Sequence, residues 1–370
     1  MYDFHGIIFA YSASPELSEL VRRRTAASLP FCGRYRLIDF ALSSMMNAGI
    51  RDVGVIMQRD YQSLLDHMGS GKNWDMSRRY GGLRMLPPFG LPEYHRGNYT
   101  GTIEALNAVA TYIRDIPQKH IVLLLGSVCA NIDLSAAMRQ HLKSGAEITA
   151  ICAARELTGS NHRYVIGEDG MVSRLLFDRT DPGEGIPSLE GYVINKDTLL
   201  RIMDKCKALN LYRFHKDAVS MFLAEGGRMS AYVHEGYAAS IRSVADYYQC
   251  SMDMLNGELR RQLFPAERPV RTRAHEEVST YYGENASSKN SLVADNCIIE
   301  GSIENCIVFP GVRIARGAKL TNCIIMKGST IGEWAELSCV ISDKNCSYSP
   351  GITLTGSPRL PIVVPKDSKI

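Results

Sequence analysis

Pro30-Phe31-Cys32-Gly33-Arg34-Tyr35-Arg36-Leu37-Ile38-Asp39-Phe40-Ala41-Leu42-Ser43-Ser44-Met45-Met46-Asn47-Ala48-Gly49-Ile50 is the stretch whose reading decides the fold. Its apolar residues recur at helical spacing, which predicts a helix over 35–47 with Gly49 as the stop just beyond. On either side, short apolar runs alternate with further helical patterns. Strands are expected at 6–10, 53–57, 121–125 and 147–153, with helices at 61–68, 102–113 and 134–143. That alternation over the first 250 or so residues is the pattern of a largely parallel α/β sheet. In such sheets the ligand crevice lies outside the carboxyl ends of the strands. Residues 10–16 and 126–131 therefore belong at its mouth.

The chain of 370 residues carries a formal net charge of +3, with both signs interspersed. No basic patch interleaved with aromatics is present, so a dedicated nucleic-acid protein is excluded. No apolar run reaches the roughly 18 residues a spanning helix needs, so no membrane span is expected. Met1-Tyr2-Asp3-Phe4-His5 lacks the layout of a signal peptide. Ten cysteines without a CxxC pair fit free thiols in a reducing cytoplasm.

Residues 259–290, with Pro265, Pro269 and little periodicity, read as a linker after an α/β domain at 1–258. Beyond it, Val308, Ile314 and Leu320 are six residues apart, and after a five-residue step Ile325, Ile331 and Leu337 repeat the spacing. One aliphatic per hexad is the mark of a parallel β-helix, expected here over 291–370. Cys297, Cys306, Cys323, Cys339 and Cys346 lie in this segment, several in Asn-Cys-Ile steps, and are expected to stack as small buried residues. Acyl transfer, which such domains often perform, calls for a histidine base. All nine histidines lie at or before His275, so that activity is not expected of this one.

The run at 30–50 resembles the signature of ADP-glucose pyrophosphorylases, the sugar-1-phosphate adenylyltransferases. The resemblance extends over essentially the whole chain. It implies a nucleotidyltransferase domain with a Rossmann-like, mostly parallel sheet, followed by a left-handed β-helix. It also locates the catalytic positions, and at most of them the chemistry is missing. The glycines of the family's phosphate loop fall on Tyr11, Ser12 and Ser14, and its arginine falls on Glu16. The phosphate-facing lysine falls on Ala26. The two Mg²⁺-binding aspartates fall on Ser127 and Ser240, and neutral hydroxyls are poor anchors for that ion. Asp133 and Asp246 are the nearest carboxylates that could stand in. The Glu-Lys-Pro step for the sugar phosphate appears as Asp178-Arg179-Thr180, with charge kept and reach altered. Gln58, Tyr99, Gly101 and Thr102 are retained, so a vestigial substrate pocket is expected from these four with Asp178 and Arg179.

Losses confined to catalytic positions, beside an intact scaffold motif, are similar to the GlgD-type subunits, non-catalytic paralogues that pair with a catalytic chain. The resemblance then implies a regulatory subunit of a hetero-oligomer, expected to be a heterotetramer with a catalytic glucose-1-phosphate adenylyltransferase in glycogen biosynthesis. This chain is expected to bind no Mg²⁺, while the catalytic partner needs it. A sugar-phosphate or nucleotide effector, or a subunit interface, is expected at Arg23, Arg24, Arg34 and Arg36. Two alternatives remain open at this point: an active or weakly active adenylyltransferase, and a sensor that binds a nucleotide sugar.

Overall fold

A computed structural model describes residues 3–11, 15–88, 99, 101–158, 161–179, 183–273 and 277–370. The chain forms two compact units, neither of them continuous in sequence. One comprises Met1–Ser12, Ile38–Ser240 and Leu263–Arg271; the other comprises Ala13–Leu37, Ile241–Gln262 and Thr272–Ile370. The linear division at 258 and 290 is therefore replaced by an interleaved one, and the motif at 30–50 contributes to both units. Residues 281–290 are not linker: strands at Tyr281–Tyr282 and Ser287–Lys289 already pair with later coils.

In the first unit the chain order is β1 (Phe4–Phe9), α1 (Ile38–Asn47), β4 (Val53–Ile56), α2 (Gln62–Met68), β5 (Leu83–Leu86), α3 (Thr102–Ala108), α4 (Ala110–Asp115), β6 (His120–Leu125), β7 (Val128–Ala130), α5 (Leu134–Ser144), β8 (Ile148–Ala153), β9 (Asn161–Ile166), β10 (Val172–Arg179), β11 (Ile186–Asn195), α6 (Lys196–Ala208), α7 (Ser220–Ala224), β12 (Met229–His234) and β13 (Ala238–Ser240). A two-strand hairpin, β2 (Pro30–Phe31) with β3 (Tyr35–Arg36), belongs to the other unit. The helix expected from Tyr35 thus begins at Ile38, because residues 35 and 36 are held in that hairpin. The helix expected over 102–113 is broken at Val109, whose φ of −112° and ψ of 23° leave the helical well.

Among the described residues the main sheet has nine strands. Its parallel centre is β5-β4-β1-β6, and β11 enters antiparallel beside β6. Every residue of β1 and β8 is buried, as expected of strands covered on both faces. Ile7, Phe9, Leu123, Ile103, Leu106, Tyr192 and Phe214 form one continuous core. Gly6 of β1 lies against α1: a Cβ there would sit 2.9 Å from Met45 Sδ, so only glycine lets the helix approach.

Helix α1 is unusual in burying polar groups along with its apolar ones. Asp39 is fully buried and lies 2.6 Å from His67 Nε2 on α2. Ser44 Oγ accepts from the Ile132 N–H at 3.0 Å, and Ser43 Oγ accepts from the Arg271 N–H at 2.9 Å. The sequence motif is therefore a fastening: its polar residues satisfy backbone groups of segments far away in the chain.

The second unit contains the parallel β-helix. Val308 pairs in register with Ile325, Ile314 with Ile331, and Leu320 with Leu337, so the hexad aliphatics stack on successive coils. All six are buried. The Asn-Cys-Ile steps acquire a geometric reason. Asn296, Asn305 and Asn322 sit at left-handed corners with φ of 59°, 51° and 53°, a conformation asparagine tolerates better than most residues. The following cysteines then turn inward, and Cys297, Cys306 and Cys323 are buried free thiols. Cys323 Sγ lies 3.4 Å from the Leu337 carbonyl of the next coil, a weak S–H donor contact.

Two buried histidines make the first unit acid-sensitive. Burial pushes His5 and His234 down to about 4, and for His234 the nearby Arg268 adds to the effect. Both are neutral in the fold, whereas the unfolded chain protonates them below about 6.5. Folding stability is then lost as pH falls from 6.5 towards 4, by about 2 kcal/mol per histidine at pH 5. Urea midpoints at pH 7 and pH 5 measure this, and an unchanged midpoint would contradict it.

Candidate functional site

Strand β1 is flanked by parallel neighbours on both sides, β4 and β6, which makes its carboxyl end the switch point of the sheet. The residues expected there do converge. Gln58, just beyond β4, donates from Nε2 to the Tyr99 carbonyl at 3.3 Å. Gly101 packs on the turn at 211–213, where a Cβ would lie 2.2 Å from the Tyr212 carbonyl oxygen. The Ile103 N–H donates to that same carbonyl at 2.9 Å. This close approach explains the glycine at 101 without any ligand.

Asp217 organises the opposite wall. Its Oδ2 accepts from the Tyr212 and Arg213 N–H groups at 3.1 and 2.9 Å. The chain then enters a π-helix, Phe214–Val219, a rare element that recurs at functional sites. Arg213, His215 and Lys216 of this wall join Gly101, Thr102, His162 and Asp178 around an open cleft of about 250 Å³.

The cleft is rich in cationic and titratable groups. Lys216 Nζ lies 3.8 Å from Asp178 Oδ2 and 5.7 Å from the centre of the Phe177 ring. The His162 and His215 rings lie 3.7 Å apart between centroids, and His215 Nδ1 is 3.8 Å from Glu190 Oε2. Of the expected Asp178-Arg179 pair, only Asp178 lines the cleft; Arg179 is exposed at the end of β10. Thr180, Thr100, Ser12 and Ser14 lie outside the described residues. Arg213, His215, Lys216 and His162 were not among the expected site residues. The compact basic run Arg213-Phe214-His215-Lys216 was the signal available for three of them.

Ser127 and Ser240, the expected metal positions, come together. Ser240 pairs with Val128 across the β7–β13 ladder, next to Ser127, and both serines are buried. The stand-in carboxylates are committed elsewhere. Asp133 caps α5 by accepting from the Ala136 N–H at 2.9 Å and lies 3.9 Å from Arg268. Asp246 forms a capping box with Ser243 on α8 (Val244–Asp253) in the other unit. Among the described residues no three histidine, cysteine or acidic side chains gather in a metal-holding group. Two hydroxyls do not fit Mg²⁺, which takes carboxylates and phosphates.

The second unit holds the other expected positions. Glu16 is exposed in the first turn of a 3₁₀ helix, Pro15–Val21, and Ala26 is fully buried, so neither brings a cation. The four arginines are not equivalent. Arg24 is buried in an ion pair with the equally buried Asp343. Arg23 is exposed and lies 3.2 Å from Asp367, while Arg34 stands over the Tyr35 ring. Arg36 and Arg24 lie near Lys344, whose amine is pushed down to about 8 by burial first and by these two arginines next. Arg24 is thus a structural cation, and Arg36 with Lys344 forms the half-buried cationic cluster. Lys344 was not among the expected residues, because only the coil brings it beside Arg36.

This fold is an α/β domain with a mostly parallel sheet followed by a hexapeptide-repeat domain, and the chain belongs to the nucleotidyl transferase family. That family's model matches residues 6–256, and a model for GlmU-like C-terminal hexapeptide repeats matches 275–358, in keeping with a left-handed β-helix. Among its relatives is the glycogen biosynthesis protein GlgD of Bacillus subtilis (strain 168), 32% identical over 361 residues, covering 98% of this chain and 95% of that one. The GlgD of Geobacillus stearothermophilus is 33% identical over 337 residues, covering 85% and 81%. A glucose-1-phosphate adenylyltransferase of Halalkalibacterium halodurans is 27% identical over 319 residues, covering 85% and 83%.

Removing one partner of the buried Arg24–Asp343 pair leaves an uncompensated charge. Arg24→Ala is expected to destabilise the second unit by about 3–5 kcal/mol. Arg24→Met combined with Asp343→Leu should recover most of that loss in chemical denaturation. A single variant as stable as the double would show that the pair carries no such burden.

Proposed function

We propose that this chain is a non-catalytic subunit that assembles with a catalytic glucose-1-phosphate adenylyltransferase chain, in the cytoplasm, and tunes that partner's activity in glycogen biosynthesis. The observation that carries the reading is the adjacency of Ser127 to the Val128–Ser240 pair, which places two buried hydroxyls where nucleotidyl transfer needs metal-binding carboxylates. The uncharged Ala26 and the committed Asp133 and Asp246 support it. In this reading the chain binds no Mg²⁺, and the ion belongs to the partner's site. No helix among the described residues is long and apolar enough to cross a membrane, which is compatible with this setting.

Purified alone with Mg²⁺, ATP and glucose 1-phosphate, the chain is expected to release no pyrophosphate above blank. Robust turnover would instead establish the alternative, an active adenylyltransferase. Co-expressed with a catalytic homologue, it should form a stable hetero-oligomer, with a heterotetramer as the expected size, whose activity exceeds that of the catalytic chain. No complex and no kinetic change would overturn the subunit reading.

A second reading, that the chain senses an anionic effector, is favoured by the Arg36–Lys344 cluster. Lys344 loses its proton as pH rises through about 8, so an anion of constant charge should bind more weakly at pH 9 than at pH 7. Sulfate titrations at the two values, with Lys344→Met as control, measure this. Equal affinity at both values would count against the cluster as an effector site.

A further inference from the structure

At the carboxyl end of β1 the chain gathers three aromatic rings, Phe9, Tyr11 and Tyr99. Tyr11, two residues past β1, packs against the main core. Its ring lies 5.7 Å from that of Tyr99 and 6.0 Å from that of Phe9, in tilted and edge-on geometry. The Tyr11 and Tyr99 hydroxyls are both buried, with Thr102 beside that of Tyr11. Burial pushes both phenols up, with Glu104 adding to the effect. What Tyr11 contributes is its aromatic body, edge-packed and tilted against two rings at the sheet's switch point.

Aromatic surfaces are also what a nucleobase stacks on, whatever the base. Tyr11 stands on a position where the family's phosphate loop has glycine, which would leave that space open. We infer that Tyr11 is a plug: its ring takes up the volume a nucleobase would occupy, and it excludes nucleosides from this chain. The exclusion is separate from the loss of the phosphate loop, since it acts on the base and not on the phosphates. It leaves the neighbouring cleft around Arg213 and Lys216 open, so the crevice is closed in one half only. The inference rests on reading the β1 end as the nucleotide half of the crevice.

Adenosine is the decisive probe, because it is uncharged and gains nothing from a phosphate loop. By calorimetry on the full-length chain, Tyr11→Gly should bind adenosine at least about tenfold more tightly than the unaltered protein, a difference within what one stacking contact supplies. Tyr11→Phe should stay closed, since the ring remains. Tyr11→Ser gives the same reading if the glycine variant does not fold. Tight binding by the unaltered chain, a folded Tyr11→Gly that takes up no adenosine, or a Tyr11→Phe that binds as well as Tyr11→Gly would each overturn the plug. The subunit reading fails separately. A chain that excludes adenosine but never affects a catalytic partner keeps the plug, and one that binds adenosine yet activates the partner keeps the subunit role.

Discussion

The larger unit depends on one buried carboxylate. Asp39 opens α1 with no solvent exposure, and a charge so placed is tolerable only with a close partner. His67 supplies it at 2.6 Å, and the helix N-terminus adds a favourable dipole. The two serines that follow on α1 extend the fastening to the segment before α5 and to Arg271. With α1 held in this way, Gly6 and Met45 meet and β1 is covered on that face. The position of β1 in turn sets the crevice. The α1 part of the motif at 30–50 thus holds backbone groups of distant segments.

The crevice has two halves with opposite characters. At the end of β1 it is apolar and aromatic, with the rings of Phe9, Tyr11 and Tyr99 packed together. Beside α3 it is open and cationic, lined by Arg213 and Lys216 and shaped by the carboxylate of Asp217. The basic groups of the second unit differ as well: Arg24 is committed to Asp343, whereas the Lys344 amine is pushed down by burial first and by Arg36 and Arg24 next.

Much of the architecture was legible because it rests on periodicity. The four expected strands of the first unit are present with ends shifted by one or two residues, and the hexad aliphatics stack as their spacing demands. The helix start at Tyr35 was misplaced because a two-strand hairpin overrides the local pattern. The linker was drawn too long because the first coil has Ser288 where later coils have Ile303, Leu320 and Leu337. At the site, Gln58, Tyr99, Gly101, Thr102 and Asp178 were readable from a motif, while His162, Arg213, His215 and Lys216 were not. Their convergence comes from β9 and a π-helix more than fifty residues apart.

By itself, the sequence determined the family scaffold and the two kinds of domain, since each follows from residue identity or short-range spacing. Only the tertiary structure decided that residues 13–37 and 241–262 join the β-helix unit, that Arg24 is a buried structural cation, and that the Tyr11 ring packs against Phe9 and Tyr99. These depend on which distant segments pack together. Burial and long-range pairing set the cost of a charge or an open cavity, and no local pattern encodes them.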